Sequence, residues 1–92
     1  MQGKRSRIEI IYGMLHTISG KGGRIKPTHL MYKANLSHTQ MKQYLDELMA
    51  KALVAEETVG KEGRKMLAIT DKGISFINQF NQMKEMEKTF GL

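Results

Sequence analysis

Residues 27–53 read PTHLMYKANLSHTQMKQYLDELMAKAL, two helical patterns joined by a turn too short to let them drift apart. Pro27 stands at a favoured first-turn position, so the pattern predicts a short helix from Thr28 to about Ala34. Asn35 suits a left-handed position at the end of that helix. Leu36 plugs the turn, and Ser37-His38-Thr39-Gln40 reads as a capping box, in which the hydroxyl accepts from the backbone of Gln40 and the amide reaches back to Ser37. Met41, Leu45, Leu48 and Ala52 then share one face of the next helix, flanked by Tyr44 and Met49, with Leu53 just beyond.

The flanks extend this pattern on both sides. Upstream, Ser6-Arg7-Ile8-Glu9 is another capping box. Ile8, Ile11, Leu15 and Ile18 follow at helical spacing with Tyr12 beside them, through about Ser19. Gly20-Lys21-Gly22-Gly23 stops that helix. It lacks the spacing and the preceding strand of a phosphate loop, so it reads as a turn. Arg24-Ile25-Lys26 is a candidate short strand. Downstream, Val54–Val59 and Lys65–Thr70 read as two strands around the hairpin loop Gly60-Lys61-Glu62-Gly63-Arg64. Thr70 can cap a last helix from Asp71 to about Phe90, roughly 30 Å long and too long for so small a domain to cover. Helix, tight turn, helix and then a hairpin is the order of a winged helix-turn-helix. The expected architecture is mainly α with a β-hairpin: a winged helix-turn-helix over residues 4–70, then a dimerisation helix over 71–90.

Three blocks resemble one family: Lys4-Arg5-Ser6-Arg7-Ile8-Glu9-Ile10-Ile11-Tyr12, Thr28 through Ser37, and Leu67-Ala68-Ile69-Thr70-Asp71-Lys72-Gly73. It is the family of small archaeal winged-helix DNA-binding proteins that dimerise through a C-terminal antiparallel coiled coil. The similarity spans about residues 4–90. Leu67 stands where members often have an aromatic residue, a departure that concerns packing. The resemblance implies a homodimeric, cytoplasmic and nucleoid-associated DNA-binding protein, either a transcriptional regulator or a chromatin-associated protein. Antiparallel pairing of the last helix comes from the resemblance, since spacing alone does not give orientation.

Charge points the same way. Of 92 residues, 15 are Lys or Arg and nine are Asp or Glu, a net charge of +6. Residues 1–45 hold eight of the bases and a single acid, Glu9, whereas residues 71–92 are neutral. Such segregation favours a polyanionic partner. With no cysteine there is no disulfide, thiolate nucleophile or cysteine-based zinc site. His16, His29 and His38 fall on different segments without metal-binding spacing, and no Ser, His and acid suggest a catalytic set. Glu56 and Glu57 are adjacent on a strand and point to opposite faces. The expectation is a chain with no enzymatic activity, metal, cofactor or evident small-molecule substrate. No apolar run has the length of a membrane span and the N-terminus does not read as a signal peptide.

At 100° per residue, Thr39 and Gln43 point away from the core of the third helix, with Gln40 and Lys42 on its flanks. Asp46 and Glu47 lie in its second half, held back from phosphates if the N-terminal half enters a major groove. Gln40 and Gln43 can pair with adenine edges, Thr39 can touch a thymine methyl, and Lys42 suits a phosphate. Ser37 caps the helix, and the N-terminus it guards favours a phosphate oxygen. His38, about 60° from the buried centre, is expected to pack at the domain edge. Lys61, Arg64 and Lys65 surround the wing turn, on a backbone or minor groove. Lys4, Arg5 and Arg7 form a short basic arm, and Lys26, Lys33 and Thr28 bracket the second helix. In the last helix, Ile74 and Ile77 can seal against the domain. Phe76, Phe80, Met83, Glu87 and Phe90 recur at 4-3-4-3 spacing with Met86 beside them, a seam for a second copy. The alternatives are a winged-helix protein-interaction module without DNA binding and an RNA-binding winged helix.

Overall fold

The structure is a computed structural model and describes residues 5–92. Lys4 lies outside them. Helix α1 spans Arg7–Gly20, strand β1 Arg24–Ile25, α2 Pro27–Lys33 and α3 His38–Ala50; strands β2 (Val54–Val59) and β3 (Arg64–Ile69) precede α4, Asp71–Phe90. The three strands form one antiparallel sheet in the order β1-β3-β2. Ile25 pairs with Leu67 and Val54 with Ile69, so one face of the sheet delivers Ile25, Val54 and Leu67 to the helices. Met14, Leu15, Ile18, Leu30, Leu48 and Leu67 are fully buried and draw α1, α2, α3 and β3 around one core. At about 1.5–3 kcal/mol each, these aliphatic side chains dominate the stability of so short a chain.

The caps form as their residue types dictate. Ser6 Oγ accepts from Glu9 N at 3.2 Å while Glu9 Oε1 accepts from Ser6 N at 3.0 Å. Ser37 and Gln40 repeat the arrangement at 3.1 and 3.0 Å. Asn35 takes φ 57°, and Leu36 N then donates to Met31 O at 3.0 Å, which closes α2 and turns the buried Leu36 into the core. The far end of α3 departs from expectation. Ala52 does not continue the buried face: α3 ends at Ala50, and Ala52 is exposed at φ 60°. The cause is a second reversal of the same kind, with Leu53 N donating to Leu48 O at 2.9 Å so that the chain can enter β2.

Helix α4 is seated at its start and free at its end. Thr70 Oγ1 accepts from Gly73 N at 3.1 Å, and Lys72 Nζ donates to Lys51 O at 2.7 Å. Gly73 is buried so tightly that a Cβ there would stand 2.5 Å from Leu53 O and 2.7 Å from Ile69 Cγ1. This contact sets the rotation of the helix: Gly73, Ile77 and Phe80 face inward. Ile74, about 95° from the centre of that face, is 44% exposed and does not seal against the domain as expected. Phe80 is buried in its own chain, stacked on Tyr12 with ring centroids 4.2 Å apart, and Tyr12 OH donates to Asn81 Oδ1 at 2.8 Å. Past Asn81 the helix projects roughly 15 Å, and the molecule measures 52 × 30 × 22 Å.

Candidate nucleic-acid interface

The N-terminal half of α3 presents Ser37, His38, Thr39, Gln40, Lys42 and Gln43, all exposed. His38 stands in solvent and does not pack at the domain edge. Thr39 and Gln43 point away from the buried Met41 and Leu48 as the helical period requires. Gln40 has one end occupied, since its Oε1 closes the capping box; its amide nitrogen remains for an outside acceptor. The acidic half of the helix is neutralised, not merely set back. Lys42 Nζ lies 3.2 Å from Asp46 Oδ2, and Glu47 pairs with Arg7 of α1.

Further exposed cations stand on α2 and on the wing. Lys26 and Lys33 at the two ends of α2, and Lys61 and Lys65 on the wing, are exposed and make no ion pair among the described residues. Arg64 is also exposed, with Nε 4.0 Å from Glu62 Oε1 across the wing turn. Gly60 and Gly63 take φ 76° and 68°, which L side chains rarely adopt, and so make that tight turn. Thr28 is exposed in the first turn of α2. The expected basic arm has a different geometry. Arg7 belongs to α1 and is committed to Glu47, while Arg5 Nη2 donates to Asn35 O at 3.3 Å, at the turn between α2 and α3. The i,i+4 spacing signalled the Lys42–Asp46 pair, but nothing local signals a pair forty residues apart.

A second surface runs along α4. The expected seam divides at the helix: Phe80 and Glu87 turn toward the domain side, whereas Phe76, Met83, Met86 and Phe90 form the outward stripe. Ile8 of α1 and Leu53 border its lower part, making a groove of about 480 Å³ floored by Phe76, Phe80 and Met83. Sequence reasoning missed Ile8 here because its spacing matches the buried face of α1. His16, His29 and His38 sit on three separate helices, and no cluster of metal-ligating side chains occurs among the described residues.

A three-stranded winged sheet behind an exposed second helix of a helix-turn-helix defines a class of protein built to present that helix. The chain belongs to the winged helix-turn-helix family, whose model matches residues 4–88. Its fold is similar to that of Sso10a-2, a DNA-binding protein from Sulfolobus solfataricus, at 21% identity and a TM-score of 0.76 over 94% of this chain and 85% of that one. It is also similar to a winged-helix DNA-binding protein from STIV, at 22% identity and a TM-score of 0.73 over 89% and 92% of the two chains. MepR, a transcription regulator of a Staphylococcus aureus multidrug efflux pump, matches at 19% identity and a TM-score of 0.73, over 88% of this chain and 61% of its own. No curated protein matches the chain. No helix among the described residues is long and apolar enough to cross a membrane.

Proposed function

We propose that this chain binds double-stranded DNA as a homodimer, with α3 in the major groove and the wing on the backbone or minor groove. It would act as a transcriptional regulator or chromatin-associated protein in the cytoplasm, on the nucleoid. One observation carries the reading: α3 exposes a face of neutral hydrogen-bonding side chains, and four exposed lysines on α2 and the wing form no ion pair among the described residues. Base edges are read by groups such as Thr39 and Gln43, and phosphates on either side of a groove are met by cations such as Lys26, Lys33, Lys61 and Lys65. In this division residues 4–70 bind DNA and residues 71–90 associate. A salt titration of a duplex gel shift tests it. Binding should weaken on log–log axes with a slope near −0.9 per neutralised phosphate. Absence of duplex binding at low salt favours the protein-interaction module, and preference for hairpin RNA over duplex favours the RNA reading.

The dimer reading is supported by an apolar stripe that α4 cannot cover itself. Phe90 is 71% exposed, and Met86 and Met83 lie in line with it. Among the described residues nothing fills the groove at Ile8 and Phe76, and nothing receives the projecting Phe90. Socket and projection are separated by 14 residues of α4, about 21 Å. Antiparallel pairing about an axis near Met83 brings Phe90 of one copy to Phe76 of the other, whereas parallel pairing would leave both sockets empty. Two copies related this way present two α3 helices to a two-fold site.

A further inference from the structure

The outward line of α3 carries an acidic side chain at a place where a polyanion approaches. Thr39, Gln43, Asp46 and Ala50 fall within about 40° of the direction opposite Met41 and Leu48. Glu47 is turned aside and serves a tertiary contact, its pair with Arg7. Among the described residues Asp46 serves none. Its one partner among them is Lys42 on the same helix, and the two side chains are 58% and 78% exposed, a setting in which an ion pair adds little to stability. The pair is also wasted as a phosphate ligand, because each charge cancels the other.

The geometry points to Lys42 and Asp46 as a two-headed reader of a G·C base pair, Asp46 accepting from cytosine N4 and Lys42 donating to guanine O6. The inference rests on the proposed placement of α3 in the major groove. In that groove cytosine N4 keeps one hydrogen free, and guanine offers O6 and N7 as acceptors. N4 and O6 are joined to each other by an N–H···O bond of about 2.9 Å. Lys42 Nζ and Asp46 Oδ2 lie 3.2 Å apart, so acceptor meets donor and donor meets acceptor at matching separation. An A·T pair has a similar spacing but sets its donor, adenine N6, between two acceptors, N7 and thymine O4, which repel a carboxylate. A G·C pair puts its donor at one side and both acceptors at the other.

The test is selection from a randomised duplex pool by the full chain and by its Asp46→Ala and Gln43→Ala variants, with folding checked by circular dichroism. The native chain should enrich a G·C pair at one position of each half-site. Asp46→Ala, which removes the acceptor, should lose roughly tenfold or more of the discrimination at that position alone, while Gln43→Ala alters a different position. N4-methylcytosine at the selected position, which removes the groove-facing hydrogen, should weaken the native chain and leave Asp46→Ala unchanged. Identical pools from the native chain and Asp46→Ala, or indifference of the native chain to N4-methylation, would overturn the base reading while leaving DNA binding intact. Retention of no duplex by the native chain would overturn the underlying function as well.

Discussion

Along α3 the exposed face is Thr39, Gln43 and a lysine tied to an aspartate; along the outer half of α4 it is Met83, Met86 and Phe90. Both faces meet water in a single chain, yet at very different cost. The first trades hydrogen bonds with solvent and can wait for a partner of any concentration. The second holds apolar area against water at about 25 cal/mol per Å² and is stable only when covered. On the proposed function, the first surface is complete in one molecule while the second is half of an assembly.

That contrast is broken most forcefully by adding charge to the apolar face. Met86→Asp combined with Phe90→Asp should convert a dimer into a monomer by light scattering without changing the helical signal, because neither side chain belongs to the core. Duplex affinity should fall with it by about 10²-fold or more, as the second recognition helix is no longer tethered. A doubly charged variant that stays dimeric would move the interface elsewhere.

Next in size is a change at the root of the same helix. Alanine is favoured over glycine in helices by about 1 kcal/mol, but at Gly73 the added methyl meets the Leu53 carbonyl and Ile69. Gly73→Ala should therefore lose about 1–3 kcal/mol in thermal or denaturant unfolding. A gain in stability would show that α4 is not seated as described.

Smaller still is the division of labour between α3 and its flanks. Lys61→Ala with Arg64→Ala should weaken all duplexes alike and flatten the salt slope by about 0.9 for each phosphate no longer neutralised. Lys61 should account for more of this than Arg64, which shares its charge with Glu62. An unchanged slope would remove the wing from the mechanism. The two capping boxes give the finest comparison. Ser6, through its backbone N–H first and then its hydroxyl, holds the Glu9 carboxyl below its ordinary pKa. The stabilisation is present above the ordinary carboxylate value and is lost as pH falls through the lowered one. Gln40 in the matching box does not titrate. Acid titration of unfolding should show a slight loss that Glu9→Gln abolishes and Gln40 substitutions leave in place.

The turns and caps were legible because each is a local bargain. Ser6, Ser37 and Thr70 can satisfy helix N-termini from three residues away, Asn35 tolerates a positive φ, and Gly60 and Gly63 close a hairpin. The winged helix-turn-helix followed from their order. What sequence could not supply was the rotation of one element against another. The facing of α4 depends on Gly73 touching Leu53, which turns Phe80 inward and Ile74 outward. The fate of Arg7 depends on where Glu47 arrives in space. Ala52 differs for the opposite reason: its spacing fits the helix, but Leu53 must leave it. On the candidate site, residue types and outward positions were readable. Of the ion pairs that engage Lys42 and Arg7, only the first is written in local spacing.

Backbone amide NMR of the full chain titrated with duplex DNA bears most directly on the claim that α3 and the wing grip a double helix. Resonances of residues 37–43 and 61–65 should shift together and saturate at one stoichiometry, with the domain side of α4 unmoved. Shifts confined to α4, or none at all at low salt, would contradict it.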